Sequence, residues 1–180
     1  GRAGGRGSRG VLMAVRSGRM SLFPRLTQLV MTGPYEVMAR LPNPKVLLVA
    51  HTMAPVRTDR GMEIVPSITI AACPQLDLVM VPGGPGQQDL MEDEVVLEFL
   101  RTQAATAQYV TSVCTVSLVL GAAALLKGQR ATSHWAALDH LQPLGAIPLS
   151  HLLVIDAPFI TGPAGARRRS LALGGRGPLR

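Results

Sequence analysis

Two segments of this 180-residue chain carry residues whose types and spacing can do chemistry. The first is Val110-Thr111-Ser112-Val113-Cys114-Thr115-Val116-Ser117, a strand-like run entering a helix with Cys114 at the junction. That is the layout of a nucleophile elbow, a sharp turn that lifts one side chain above a sheet. A thiol at a helix start lies near backbone N–H donors and the positive end of the helix dipole. Both favour the thiolate, the nucleophilic form. The competing reading is a buried, inert thiol, the usual state of a single Cys. The second segment is Val81-Pro82-Gly83-Gly84-Pro85-Gly86, between a strand and an acid-rich helix start. It lacks the third glycine of a dinucleotide motif and the Lys of a phosphate loop. Its glycines either form a tight strand-to-helix turn or free backbone N–H groups to face developing negative charge.

His134, beside Trp135 and at the end of a short strand, is the third candidate. If that strand neighbours the Cys114 strand, the imidazole can orient or shuttle a proton; a His satisfied in the core is the alternative. His134 and His140 are six apart, which separates them around a helix, and no Cys or carboxylate completes a ligand set. No metal is expected. Cys73, before Pro74 in a connector, reads as structural.

Elements of two kinds must position these residues. Lys45–Ala50, Leu76–Val81, Tyr109–Val113 and Arg130–Ser133 are short, branched and bounded by Pro or Gly, as buried strands are. Gly61–Ala71, split by Pro66, fits a small hairpin or an edge excursion. Asp89–Ala107 predicts a helix with acids crowding its start and an apolar stripe through Val95, Val96, Phe99 and Leu100. Ser117–Leu126 and Ala136–Leu141 predict two more, the last stopped by Pro143. The alternation predicts an α/β fold, a mainly parallel sheet with helices on both faces. Open sheets of that kind place reactive groups at the carboxyl ends of their strands, where Cys114 and Gly83–Gly84 stand.

Composition narrows the function class. Apolar residues make up 47% and aromatics 3%, so the core is aliphatic, and collagen, coiled-coil and disordered chains are excluded. The net charge of +7 belongs to the ends: six Arg lie in residues 1–25 and five in 156–180, while the middle is mildly acidic. No basic cluster falls on a folded segment, so nucleic-acid binding by the body is not expected. Residues 1–20 and 163–180 read as Gly/Arg-rich tails flanking a single domain over 21–162. Positions 109–126 carry no charge, but Thr111, Ser112, Thr115 and Ser117 break the apolarity of a would-be membrane span. Val11–Val15 is too short for the core of a signal peptide, and two Cys suit a reducing compartment. A cytoplasmic protein is expected.

The order and spacing of several motifs are specific. Val-Pro-Gly-Gly-Pro-Gly at 81–86, Tyr-Val-Thr-Ser-Val-Cys-Thr at 109–115 and Arg-Ala-Thr-Ser-His-Trp at 130–135 resemble the DJ-1/PfpI superfamily. With Leu-Phe-Pro at 22–24, Met-Thr-Gly-Pro-Tyr-Glu-Val at 31–37 and Leu-Gly-Ala-Ile-Pro at 144–148, the resemblance is to its isonitrile hydratase branch. It also extends to the N-terminal domain of AraC-type regulators, which implies a ligand-sensing alternative; an inactive remnant of the family is the other. The resemblance implies a flavodoxin-like sheet, a homodimer, a small-molecule substrate and no cofactor. It makes Cys114 the nucleophile with Thr115 as its neighbour, Gly83 and Gly84 backbone donors, and His134 close by. Attack on an isonitrile carbon and hydrolysis would release an N-substituted formamide. The chain departs from the pattern at Val30, where the family carries an acid, and at Val116, where it carries glycine. Part of the first strand, over Arg16–Ser21, and the closing C-terminal helix are expected to be missing.

Overall fold

The computed structural model describes residues 17–40 and 45–163. The chain runs β1 (Ser17–Ser21), α1 (Gln28–Ala39), β2 (Lys45–Ala50), β3 (Val56–Arg57), β4 (Glu63–Ile64), β5 (Ile68–Thr69) and β6 (Leu78–Val81). Then follow α2 (Gln87–Glu92), α3 (Glu94–Ala104), β7 (Tyr109–Val113), a 3₁₀ turn (Cys114–Val116) and α4 (Ser117–Ala122). The rest is β8 (Arg130–Ala131), a 3₁₀ run (Trp135–Leu144), β9 (Ile147–Pro148), β10 (Val154–Asp156) and β11 (Phe159–Gly162).

Seven strands form one sheet in the order β10-β11-β7-β6-β1-β2-β5. All neighbours are parallel except the β10–β11 pair at the edge. This is the mainly parallel α/β architecture expected from the sequence. The middle strand, β6, is apolar throughout and buried at all four positions, as a strand covered on both faces must be. Helix α1 packs on β1 and β2, while α4 packs on β7, α2 and α3. The aliphatic core runs from Met20 and Leu26 through Val79 and Val110 to Leu120, Leu126 and Leu141.

Several elements differ from the sequence reading. β1 is present at the sheet centre, paired with both β2 and β6, so the ordered body begins by Ser17 and not at residue 21. Backbone pairing on two sides made this strand despite its polar residues. The rest of 1–20, and the expected tail at 164–180, lie outside the described residues. The predicted helix at 89–107 is two helices. Asp93 takes an extended conformation and caps α3, its Oδ1 accepting from the Val96 N–H at 3.2 Å. Strand β8 pairs with β9 in a separate two-stranded sheet, so it does not neighbour the Cys114 strand in the main sheet. The 61–71 segment divides: Glu63–Ile64 pairs with Val56–Arg57, and Ile68–Thr69 becomes the sheet edge.

Arg19, in the middle of β1, is fully buried. Its guanidinium lies 5.4 Å from the centre of the Phe99 ring and donates to the Pro74 carbonyl. Nε and Nη1 have no partner among the described residues. Burial pulls the Arg19 pKa down from its ordinary value, opposed by nearby Cys73. Burial likewise pushes the Cys73 thiol up, which keeps it protonated and supports its structural reading. Unpaired buried donors cost about 1–3 kcal/mol. Arg19→Met, which keeps most of the volume and removes the donors, is expected to raise the urea midpoint of unfolding; an unchanged or lower midpoint refutes this account.

Candidate active site

The parallel pairing of β6 with β7, with Val81 opposite Ser112, brings the carboxyl ends of the two strands side by side. The two segments singled out in the sequence therefore meet. After Val113 the chain turns through Cys114 at φ 75°, a left-handed conformation that is unusual for a side chain larger than glycine. Such a conformation persists only where its surroundings hold it. Here they do: the Cys114 carbonyl accepts from Ser133 Oγ at 2.9 Å and from the His134 N–H at 3.2 Å. Beneath the turn, Ser117 Oγ donates to the Thr132 carbonyl at 2.8 Å. With its only proton committed, Ser117 accepts from Ser112 Oγ, also at 2.8 Å.

The turn at 83–84 is shaped by proximity. A Cβ on Gly83 would lie 2.4 Å from Cys114 Cβ and 2.7 Å from the Val113 carbonyl oxygen. A Cβ on Gly84 would lie 2.6 Å from Leu26 Cα and Thr27 N. The Thr27 N–H donates to the Gly83 carbonyl at 2.9 Å, which joins the β1–α1 loop to the same corner. Only glycine fits between these three segments.

Cys114 is half-buried and opens into a cavity of about 350 Å³. Thr27, Gly84, Gln87, Thr115 and His134 also line it, and Gly83 lies just behind Cys114. The five sequence candidates are thus brought together. His134 reaches the site through main-chain hydrogen bonds and not through the strand pairing expected of it. Its Nδ1 accepts from the Ala136 N–H at 3.3 Å, which places the neutral ring's proton on Nε2. Val116 does not crowd the elbow. Its φ is −71°, its side chain is fully buried in the core, and the left-handed residue of the turn is Cys114 itself. Val30 lies in the first turn of α1 and does not line the cavity. Among the described residues no cluster of His, Cys, Asp or Glu could hold a metal, and no helix is long and apolar enough to cross a membrane.

Sequence reasoning missed Thr27, Gln87, Ser117 and Ser133. Ser133 had a signal, standing beside His134 in the motif at 130–135. Thr27 and Gln87 had none, because they reach the cavity only through tertiary packing.

A second cavity of about 810 Å³ adjoins the first, with Gln87, Gln88 and Thr115 lining both. Leu118, Ala137 and Leu144 give it an apolar wall, and Ala136 lies at its exposed side.

Comparison with known proteins agrees with this fold. The chain is 53% identical over 150 residues to isonitrile hydratase from Pseudomonas putida, a match covering 83% of this chain and 65% of that protein. It therefore spans about two thirds of that relative's length. A ThiJ/PfpI family protein from Pseudomonas syringae superposes with a TM-score of 0.81 at 38% identity, over 91% of this chain and 68% of that one. The HTH-type transcriptional regulator GbdR of Pseudomonas aeruginosa is 37% identical over 82 residues, 46% of this chain and 22% of its own length. The DJ-1/PfpI family model matches residues 20–171, and the chain belongs to the DJ-1/PfpI family.

Proposed function

We propose that the protein is a Cys-dependent hydratase that converts an isonitrile to an N-substituted formamide. The observation that carries this reading is Cys114, held in a left-handed turn at the edge of an open cavity and packed against Gly83. The 53% identity to isonitrile hydratase supplies the substrate class. In this reading the Cys114 sulfur adds to the terminal carbon, and that carbon takes the thiol proton, which leaves a thioimidate on Cys114. Water adds to the same carbon, a proton reaches the nitrogen, and the C–S bond breaks with its electron pair returning to sulfur. The sum is isonitrile plus water giving formamide, with no redox change and no cofactor consumed.

Backbone N–H groups at Gly83 and Gly84 face the charge that develops as the substrate is attacked. His134 offers Nε2–H as a donor, and Thr115 stands beside the nucleophile at the passage between the two cavities. The apolar wall of the larger cavity, Leu118, Ala137 and Leu144, accepts the organic substituent on nitrogen. A second reading, a ligand-sensing domain, draws on the partial match to GbdR. It predicts that ligand binding survives loss of the thiol.

Cys114→Ser is expected to abolish formamide production from benzyl isonitrile, followed by mass spectrometry. Formamide at the wild-type rate from this variant overturns the hydratase reading, and binding without turnover in both proteins favours the sensor. Gly83→Ala forces the Cys114 turn to move and is expected to cost about 10²-fold in turnover, as a displacement near 1 Å does. Ala136→Phe narrows the second cavity from its exposed side. It is expected to raise KM for benzyl isonitrile about tenfold or more while leaving methyl isonitrile unaffected. Equal effects on the two substrates place the substituent elsewhere.

A further inference from the structure

Hydration moves protons; none of the eight residues lining the Cys114 cavity is a carboxylate, and Asp89 and Glu92 line only the larger cavity beside it. An acid stands one hydrogen bond behind the wall of the Cys114 cavity. Thr27 lines the cavity, and its Oγ1 is 3.0 Å from Asp59 Oδ2. Thr27 occupies the N-cap position of α1, where a threonine ordinarily bonds its own helix. Its side chain makes no such bond and turns to Asp59 instead. The other carboxylate oxygen, Asp59 Oδ1, is buried without a hydrogen-bond partner among the described residues. Buried acceptors are nearly always satisfied, so this one marks a group kept at a cost to stability.

The pair is held rigidly. The Asp59 N–H donates to the Leu26 carbonyl at 3.0 Å, and the Arg25 N–H to the Arg57 carbonyl at 2.9 Å. Thr58 Oγ1 adds a bond to Gln28 Oε1 at 3.2 Å. These bonds strap the turn between β3 and β4 onto the loop that enters α1. An ionised carboxylate only accepts, so the proton between the two side chains is the threonine's. Its only proton committed to Asp59, Thr27 can offer the cavity lone pairs alone.

We propose that Thr27, fixed and polarised by Asp59, is the acceptor that orients the hydrolytic water toward the Cys114 adduct and takes its proton. As the C–O bond forms, the water's proton moves to Thr27 Oγ1 and the threonine's own proton moves to Asp59 Oδ2. The same path returns a proton to the substrate nitrogen, and the C–S bond then breaks, its electron pair and the adduct's hydroxyl proton passing to sulfur, to free the formamide. Asp59 is the positioning residue, acting through Thr27. This inference rests on the hydratase reading and concerns its second half, release of the adduct.

The test follows the 180-residue chain through one turnover with benzyl isonitrile, by intact-protein mass spectrometry after rapid quench. In Asp59→Asn and Thr27→Ala, the Cys114 adduct is expected to form at close to the wild-type rate and to decay about 10²–10⁴-fold more slowly, the usual worth of a general base. Thr27→Ser restores the decay that Thr27→Ala loses, and the Asp59→Asn/Thr27→Ala double variant is no slower than either single one. Wild-type decay in either single variant, additive losses in the double variant, or a rescue by Thr27→Ser that fails overturns the proposal. Should Asp59→Asn fail to fold, judged by iodoacetamide labelling of Cys114, the Thr27 variants decide. If wild-type protein forms neither adduct nor formamide, the hydratase reading itself is wrong and this inference falls with it. If wild-type turns over and only the variants behave normally, the pair alone is refuted.

Discussion

The contact between Gly83 and Cys114 is the constraint on which the rest of the site depends. It requires two strand ends to arrive together, which the β6–β7 register provides. It requires the absence of a side chain at 83, since a single Cβ would sit 2.4 Å from that of the cysteine. It also requires the peptide after Val113 to turn left-handed, a conformation a non-glycine residue keeps only under external restraint. The Ser133 and His134 bonds to the Cys114 carbonyl are that restraint. The buried serine pair beneath it ties β7 to the chain leading to His134. The corner is thus held by a set of main-chain contacts, with few side chains taking part.

Much of this corner was legible in the sequence because it is local. A strand that ends in Gly-rich punctuation and a strand that ends in Cys before a helix both announce themselves within about ten residues. In a parallel sheet both must emerge at the same edge. The position of His134 was less accessible. Arg130–Ala131 does read as a strand, but its partner is β9 rather than β7, and residue pattern alone does not identify a strand's partner. The departure noted at Val116 rested on the glycine of the resemblance. The backbone places the strained residue two positions earlier, where a bulky side chain at 116 does no harm.

The first strand shows the limit from the other side. Ser17–Ser21 carries an arginine, a glycine and two serines, so apolar pattern argues against it. It nonetheless occupies the sheet centre, because hydrogen-bonding partners stand on both sides and a buried backbone must find them. The cost is visible in Arg19, whose guanidinium is buried with a single hydrogen bond and one aromatic face for company. Thr27 and Asp59 escaped the sequence reading for a related reason. They are 32 residues apart and meet only because the β3–β4 turn folds back over the loop into α1.

The 3₁₀ run beginning at Trp135 has a double attachment. Its walls, through Ala136, Ala137 and Leu144, enclose the larger cavity, and the residue at its head holds the Cys114 carbonyl. Whatever fills that cavity pushes on the same segment that sets the pose of the sulfur. Occupancy and the pose of the thiol are in this sense one mechanical variable. An occupant too small to press on the run leaves the thiol's aim to the strained turn alone, whereas a well-fitted one braces it. Discrimination between ligands would then be expressed in how well the sulfur is aimed as much as in how tightly the ligand is held.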